Sequence, residues 1–252
     1  LKQRIYSVLA YGTLFLALNL HAAQKNNNAV VPVDSGTFTV MVGGHRVATE
    51  SFRIDKIQGA ATIYSEMHYS DGNNKVEQTS VMELEHDGQL KRYTWKEISP
   101  GKSLIVVEPQ DQNFLSLKYS ENGEDVTKAK DASRPLSPNT VIMDDNNFIH
   151  IEILAWRHMA IVCNLGGKDA IQCKGESKPY PVLVPHQQYS AIVKIQLTGQ
   201  TKYKWKGAEH NCKTLKLETE SGEWTVWLLD DPSDNLKMVR LTSPEGLEVL
   251  RD

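Results

Sequence analysis

The chain has 252 residues, 40% of them hydrophobic and 23% charged, with three cysteines. That balance excludes a disordered chain, a collagen-like repeat and a disulfide-dense mini-protein. Its 28 basic and 31 acidic residues leave a net charge of -3, without the basic footprint of a nucleic-acid binder.

The first elements fix an expected compartment. Lys2 and Arg4 precede an apolar run from Ile5 to Leu20, and Ala22 and Ala23 then lead into a polar stretch. Charged start, apolar centre and small-residue end form the layout of a secretory signal peptide over residues 1–23. The run is shorter than the roughly 20 residues that span a bilayer. It predicts a periplasmic or secreted bacterial protein with no transmembrane anchor after processing. The remaining residues, 24–252, read as a single β-rich domain.

Period-two alternation begins after residue 34. Phe38, Val40 and Val42 share one face, Gly43-Gly44 turns the chain, and Ala48, Phe52 and Ile54 continue the pattern. Residues 60–69 form a third run, Met82 and Leu84 a fourth, and Asp87-Gly88 turns into a fifth that carries Tyr93 and Trp95. Runs 102–109 and 113–119 close this first meander. The style returns with Ala191, Val193, Ile195 and Leu197, then Leu215 and Leu217, and continues to Leu250 through turns at Ser221-Gly222, Asp231-Pro232 and Pro244-Glu245-Gly246. Trp224 and Trp227 are three apart and so point to opposite faces of a strand.

One segment between the meanders differs. Residues 146–161 follow Asp144-Asp145, which are good capping residues, and carry apolar side chains on nearly every side of a helix. Ile149, Ile151 and Ile153 also alternate as a strand would, but the length favours a buried helix. The proline-bearing flanks, 128–140 and 174–186, read as crossing loops. Together these elements predict a mainly β protein: a long-stranded antiparallel curved sheet or half-barrel wrapped around one central buried helix.

Cys163 and Cys173 flank a stretch with Gly166-Gly167 midway, which favours a disulfide in an oxidising compartment. Cys212 reads as a small buried residue. None of the cysteine spacings supplies zinc ligand pairs, and no metal or cofactor is expected.

The segments Ser35-Gly-Thr-Phe-Thr-Val, Gly44-His-Arg-Val-Ala-Thr-Glu-Ser-Phe-Arg-Ile, and Trp224-Thr-Val-Trp-Leu through Val249-Leu-Arg-Asp, behind an exported start, resemble uncharacterised exported bacterial β-proteins. These are similar in layout to the periplasmic lipoprotein carriers of the Lol system, whose half-barrel encloses a helix over an apolar cavity. The resemblance covers most of the mature chain and implies binding of acyl chains without chemistry. It carries over no binding or catalytic residue.

Catalytic signatures are sparse. Gly-x-Ser-x-Gly and phosphate-loop patterns do not occur. His150, Glu152 and His158 fall on the predicted helix and would suit a hydrolase only if all three met at one cleft. The leading expectation is an exported, non-catalytic protein that binds or carries an apolar ligand, a lipid among the candidates, in the cell envelope. Phe148, Trp156 and Met159 are its expected helix-side lining and Tyr93 and Trp95 its sheet side. The alternative is an envelope interaction or assembly factor that meets a protein partner through an open sheet edge or an outer tryptophan.

Overall fold

Glycines at the turns set the hairpins. Gly43 and Gly44 both take positive φ, the left-handed conformation open to glycine, and join strands β1 (Val31–Val42) and β2 (His45–Ile57). The computed structural model describes residues 29–71, 74–144, 146–163, 173–231 and 236–252. The expected signal segment, the Gly166-Gly167 turn and most of the Asp231-Pro232 turn lie outside these residues.

The first meander continues through β3 (Ala60–Asp71), β4 (Asn74–Leu84), β5 (Leu90–Ser99), β6 (Leu104–Pro109), β7 (Leu115–Ser120) and β8 (Lys130–Arg134). A short β9 (Val141–Ile142) leads into the helix α1 (Ile149–Val162). The second meander comprises β10 (Lys178–Val184), β11 (Tyr189–Trp205), β12 (Ala208–Thr219), β13 (Gly222–Leu229), β14 (Met238–Thr242) and β15 (Leu247–Arg251). All belong to one 15-stranded sheet, in the order β8-β7-β6-β5-β4-β3-β2-β1-β15-β14-β13-β12-β11-β10-β9. The two meanders meet at the β1/β15 pair, where Phe38 lies opposite Arg251 and Val40 opposite Val249.

The mainly β content and the helix match the sequence pattern, but the half-barrel does not. The sheet is neither curled nor closed. Its end strands β8 and β9 do not pair with each other, and β9 joins β10 in parallel, so the sheet is open and mixed. Alternation specifies which neighbours pair and which face is apolar. Closure depends on tilt and stagger accumulated over many strands, which no local pattern records.

The apolar face of the sheet carries α1. Phe38, Ile54, Ile63, Met67, Met82 and Trp95 from the first meander share one buried cluster with Val193, Ile195, Leu215, Val226 and Val249 from the second. Ile149, Leu154, Ala155 and Met159 of α1 are fully buried within it. Trp224 packs on this cluster while Trp227 packs on a small one on Cys212, Leu229 and Val239, as their opposite parity requires. Arg240 covers Trp227, with its guanidinium 4.8 Å from the ring centroid.

Cys163 caps the end of α1 and forms a disulfide with Cys173. Cys212 is free and buried, and burial together with Asp230 pushes its thiol up to about 11, so it is inert at neutral pH. No helix of the described residues is long and apolar enough to cross a membrane.

Candidate functional site

The end of α1 nearest the cavity described below is held by polar residues of the sheet. Asp144 does not cap the helix as its position suggests; its Oδ2 accepts the Tyr93 hydroxyl at 2.6 Å, and Asp145 lies outside the described residues. The capping acceptor comes instead from β2. The Glu50 carboxylate accepts the N–H groups of Phe148 at 2.8 Å and Ile149 at 3.2 Å, and the Ser65 hydroxyl at 2.6 Å. These satisfy two of the amides that a helix start leaves without internal acceptors. Burial pushes Glu50 up to about 7, against the pull of those three hydrogen bonds. Next to it the Ser80 hydroxyl donates to Asn147 Oδ1 at 3.1 Å, and the Tyr69 hydroxyl to Asn146 Oδ1 at 2.9 Å. Four consecutive strands, β2 to β5, thus fix the turn that presents Phe148.

Phe148 and Ile151 form the helix wall of a cavity of about 410 Å³. Val182 and Val184 of β10, Val193 of β11 and Trp224 of β13 form its sheet side. Its volume falls in the roughly 300–1,000 Å³ range usual for small-molecule sites, and its lining is mostly apolar in the same way. Polar groups sit at Asp144, Tyr189, Glu220 and Ser221. The indole N–H of Trp224 is buried and has no acceptor among the described residues. A second apolar cavity of about 260 Å³ lies on another side of α1, against Met82, Leu90, Ile153 and Trp156.

The sequence-predicted lining residues do not gather at one place. Phe148 lines the larger cavity and Trp156 the smaller, where the Trp156 indole N–H donates to the Leu236 carbonyl at 2.9 Å. Met159 is packed in the core and lines neither. Tyr93 does not line the larger cavity, but its hydroxyl donates to Asp144, which does. Trp95 is buried with its ring 4.9 Å from that of His186.

The hydrolase set disperses in the same way. His150 Nδ1 accepts the Asp144 N–H at 3.2 Å, and burial holds its imidazole down at about 3. His158 Nδ1 meets the Tyr180 hydroxyl at 3.0 Å, and burial with Lys178 holds it at about 4. Glu152 pairs with Arg251 Nη1 at 3.2 Å. Burial raises its carboxyl well above the usual range, opposed by Arg251 and reinforced by Asp34. The three side chains turn to three different partners, and none lines either cavity. Among the described residues no group of three or more His, Cys, Asp or Glu could hold a metal ion.

Two parts of the site escaped the sequence reading. Glu50 has the same parity as the inward-facing Ala48, Phe52 and Ile54, so a carboxylate at an inward position was the available signal. Val182 and Val184 were hidden because Pro179 and Pro181 made their segment look like a loop. No family model matches the chain, and no curated protein or solved structure matches it. The functional reading therefore rests on the chain's own residues.

Proposed function

We propose that this is a non-catalytic envelope protein that binds or carries an apolar ligand, with a lipid chain as the fitting class, in the cavity between α1 and strands β10, β11 and β13. The observation that supports this most is the cavity itself: about 410 Å³ between helix and sheet, walled by Phe148, Val182, Val193 and Trp224. Burial of a chain there would release about 0.8 kcal/mol per methylene removed from water. The signal-like first 23 residues and the Cys163–Cys173 disulfide support an exported setting.

Binding of the neutral apolar probe N-phenyl-1-naphthylamine tests the reading. The probe is expected to bind the protein and to lose that binding in Ala191→Trp, which places an indole among the cavity walls. Circular dichroism and the unfolding midpoint of the variant check that its fold is retained. Equal binding by both proteins, with the variant folded, would sink the proposal.

A further inference from the structure

The polar residues of this cavity are unlike those of a fatty-acid site. Asp144 and Glu220 bring two acidic side chains to the lining, and no Lys, Arg or His joins them among the described residues. Three aromatic rings, Phe148, Tyr189 and Trp224, share the same lining. The Glu220 carboxylate holds the Tyr189 phenol above its ordinary range. Acidic groups combined with aromatic faces are the chemistry that receives an ammonium, through charge attraction and through the negative face of each ring. A carboxylate head would meet the buried Asp144 inside the cavity and the exposed Glu220 at its rim, two acidic groups with no cation beside them in the lining. The neutral indole N–H of Trp224 is one hydrogen-bond donor and does not replace a cation.

We infer that the cavity selects a single-chain amphiphile with an ammonium head and rejects fatty acids of the same chain length. This rests on the cavity being the binding site and adds the charge of the head group that it accepts.

Calorimetry with decyltrimethylammonium, 1-decanol and decanoate at about pH 8, where the acid is ionised, tests both levels. The ammonium probe is expected to bind about tenfold tighter than decanol, with decanoate weakest. Glu220→Gln should narrow the gap between the ammonium and decanoate, while Glu121→Gln, the same charge change on a distant turn, should leave it intact. Ala191→Trp should remove binding of the ammonium probe. Decanoate binding as tightly as the ammonium overturns the head-group inference and leaves the apolar site standing. An ammonium preference that survives Ala191→Trp also overturns it, because the attraction then lies outside the cavity. Absence of binding by all three probes overturns the apolar site and the inference together.

Discussion

Glu50 shows how one side chain at an unexpected parity organises the helix. It is completely buried, yet it receives two backbone amides and a hydroxyl. With its carboxyl at about 7 against an ordinary 4.5, the native state keeps a proton that the unfolded chain has lost between those values. The stability from that proton is complete below pH 4.5 and is lost as the pH rises to about 7. His150, at about 3, and His158, at about 4, act the other way: both are neutral in the native state, and their stability, complete above 6.5, is lost as the pH falls. Between pH 4.5 and 6.5 the slopes oppose each other. Glu50→Gln removes the first slope alone. Relative to the wild type it is expected to gain about 3 kcal/mol on going from about pH 4.5 to 7, read from urea unfolding at both ends. A difference that stays constant with pH would show that Glu50 is charged in both states. Residue parity made the burial of this position legible in the sequence. Its partners were not, because Phe148 and Ile149 lie almost a hundred residues away.

At the scale of elements, hairpins between regular strands were the most readable part of the sequence. Gly43-Gly44, Asp87-Gly88 and Pro244-Glu245-Gly246 each mark a turn that the structure contains. β10 was not readable, since prolines usually argue against a strand. Pro179 and Pro181 are accommodated because the neighbour on the far side, β9, pairs only Val182 and Leu183. Each proline therefore has a side of the strand on which its missing N–H has no partner to lose. The helix was legible by its all-round apolar character, although of the two expected capping residues, Asp144 and Asp145, the first bonds Tyr93 and the second lies outside the described residues. The disulfide, between residues 10 apart, sits where α1 ends and the path toward β10 begins. Replacing both cysteines by serine is expected to lower stability by about 2–4 kcal/mol, measured as a shift in the urea midpoint. An unchanged midpoint would mean that the bond constrains a segment that does not take part in global unfolding.

At the scale of the whole molecule, Arg251 joins parts that are remote in the chain. Its Nη2 pairs with Asp34 Oδ2 at 2.6 Å, its Nη1 pairs with Glu152 on α1, and its guanidinium lies 4.9 Å from the Phe52 ring centroid. The three ionisable side chains are almost wholly buried, so removal of the cation leaves Glu152 without that partner and Asp34 with only Lys237 Nζ, 3.9 Å away. Arg251→Met is expected to destabilise by about 3–5 kcal/mol, and adding Asp34→Asn and Glu152→Gln should recover much of that loss. A single variant as stable as the wild type in urea would show that the pair is neutralised by proton uptake instead. The open architecture belongs to this scale too. Local alternation could not distinguish it from a half-barrel, because the pairing of every hairpin is the same in both.

The seam between β1 and β15 has a consequence in time. The first strand of the sheet takes its second neighbour from residues near 250, so its outer edge must wait until more than 200 further residues have been synthesised. During that interval the pairing groups of β1 stand open, as those of any edge strand do, and invite another nascent chain. The register of β1 against β2 is interrupted between Pro32 and Asp34 and again between Val40 and Met41. Such irregularities bend and twist an edge away from flat pairing. The strand whose outer edge waits longest for its partner, β1, is therefore also one whose irregular register resists a flat pairing with another chain.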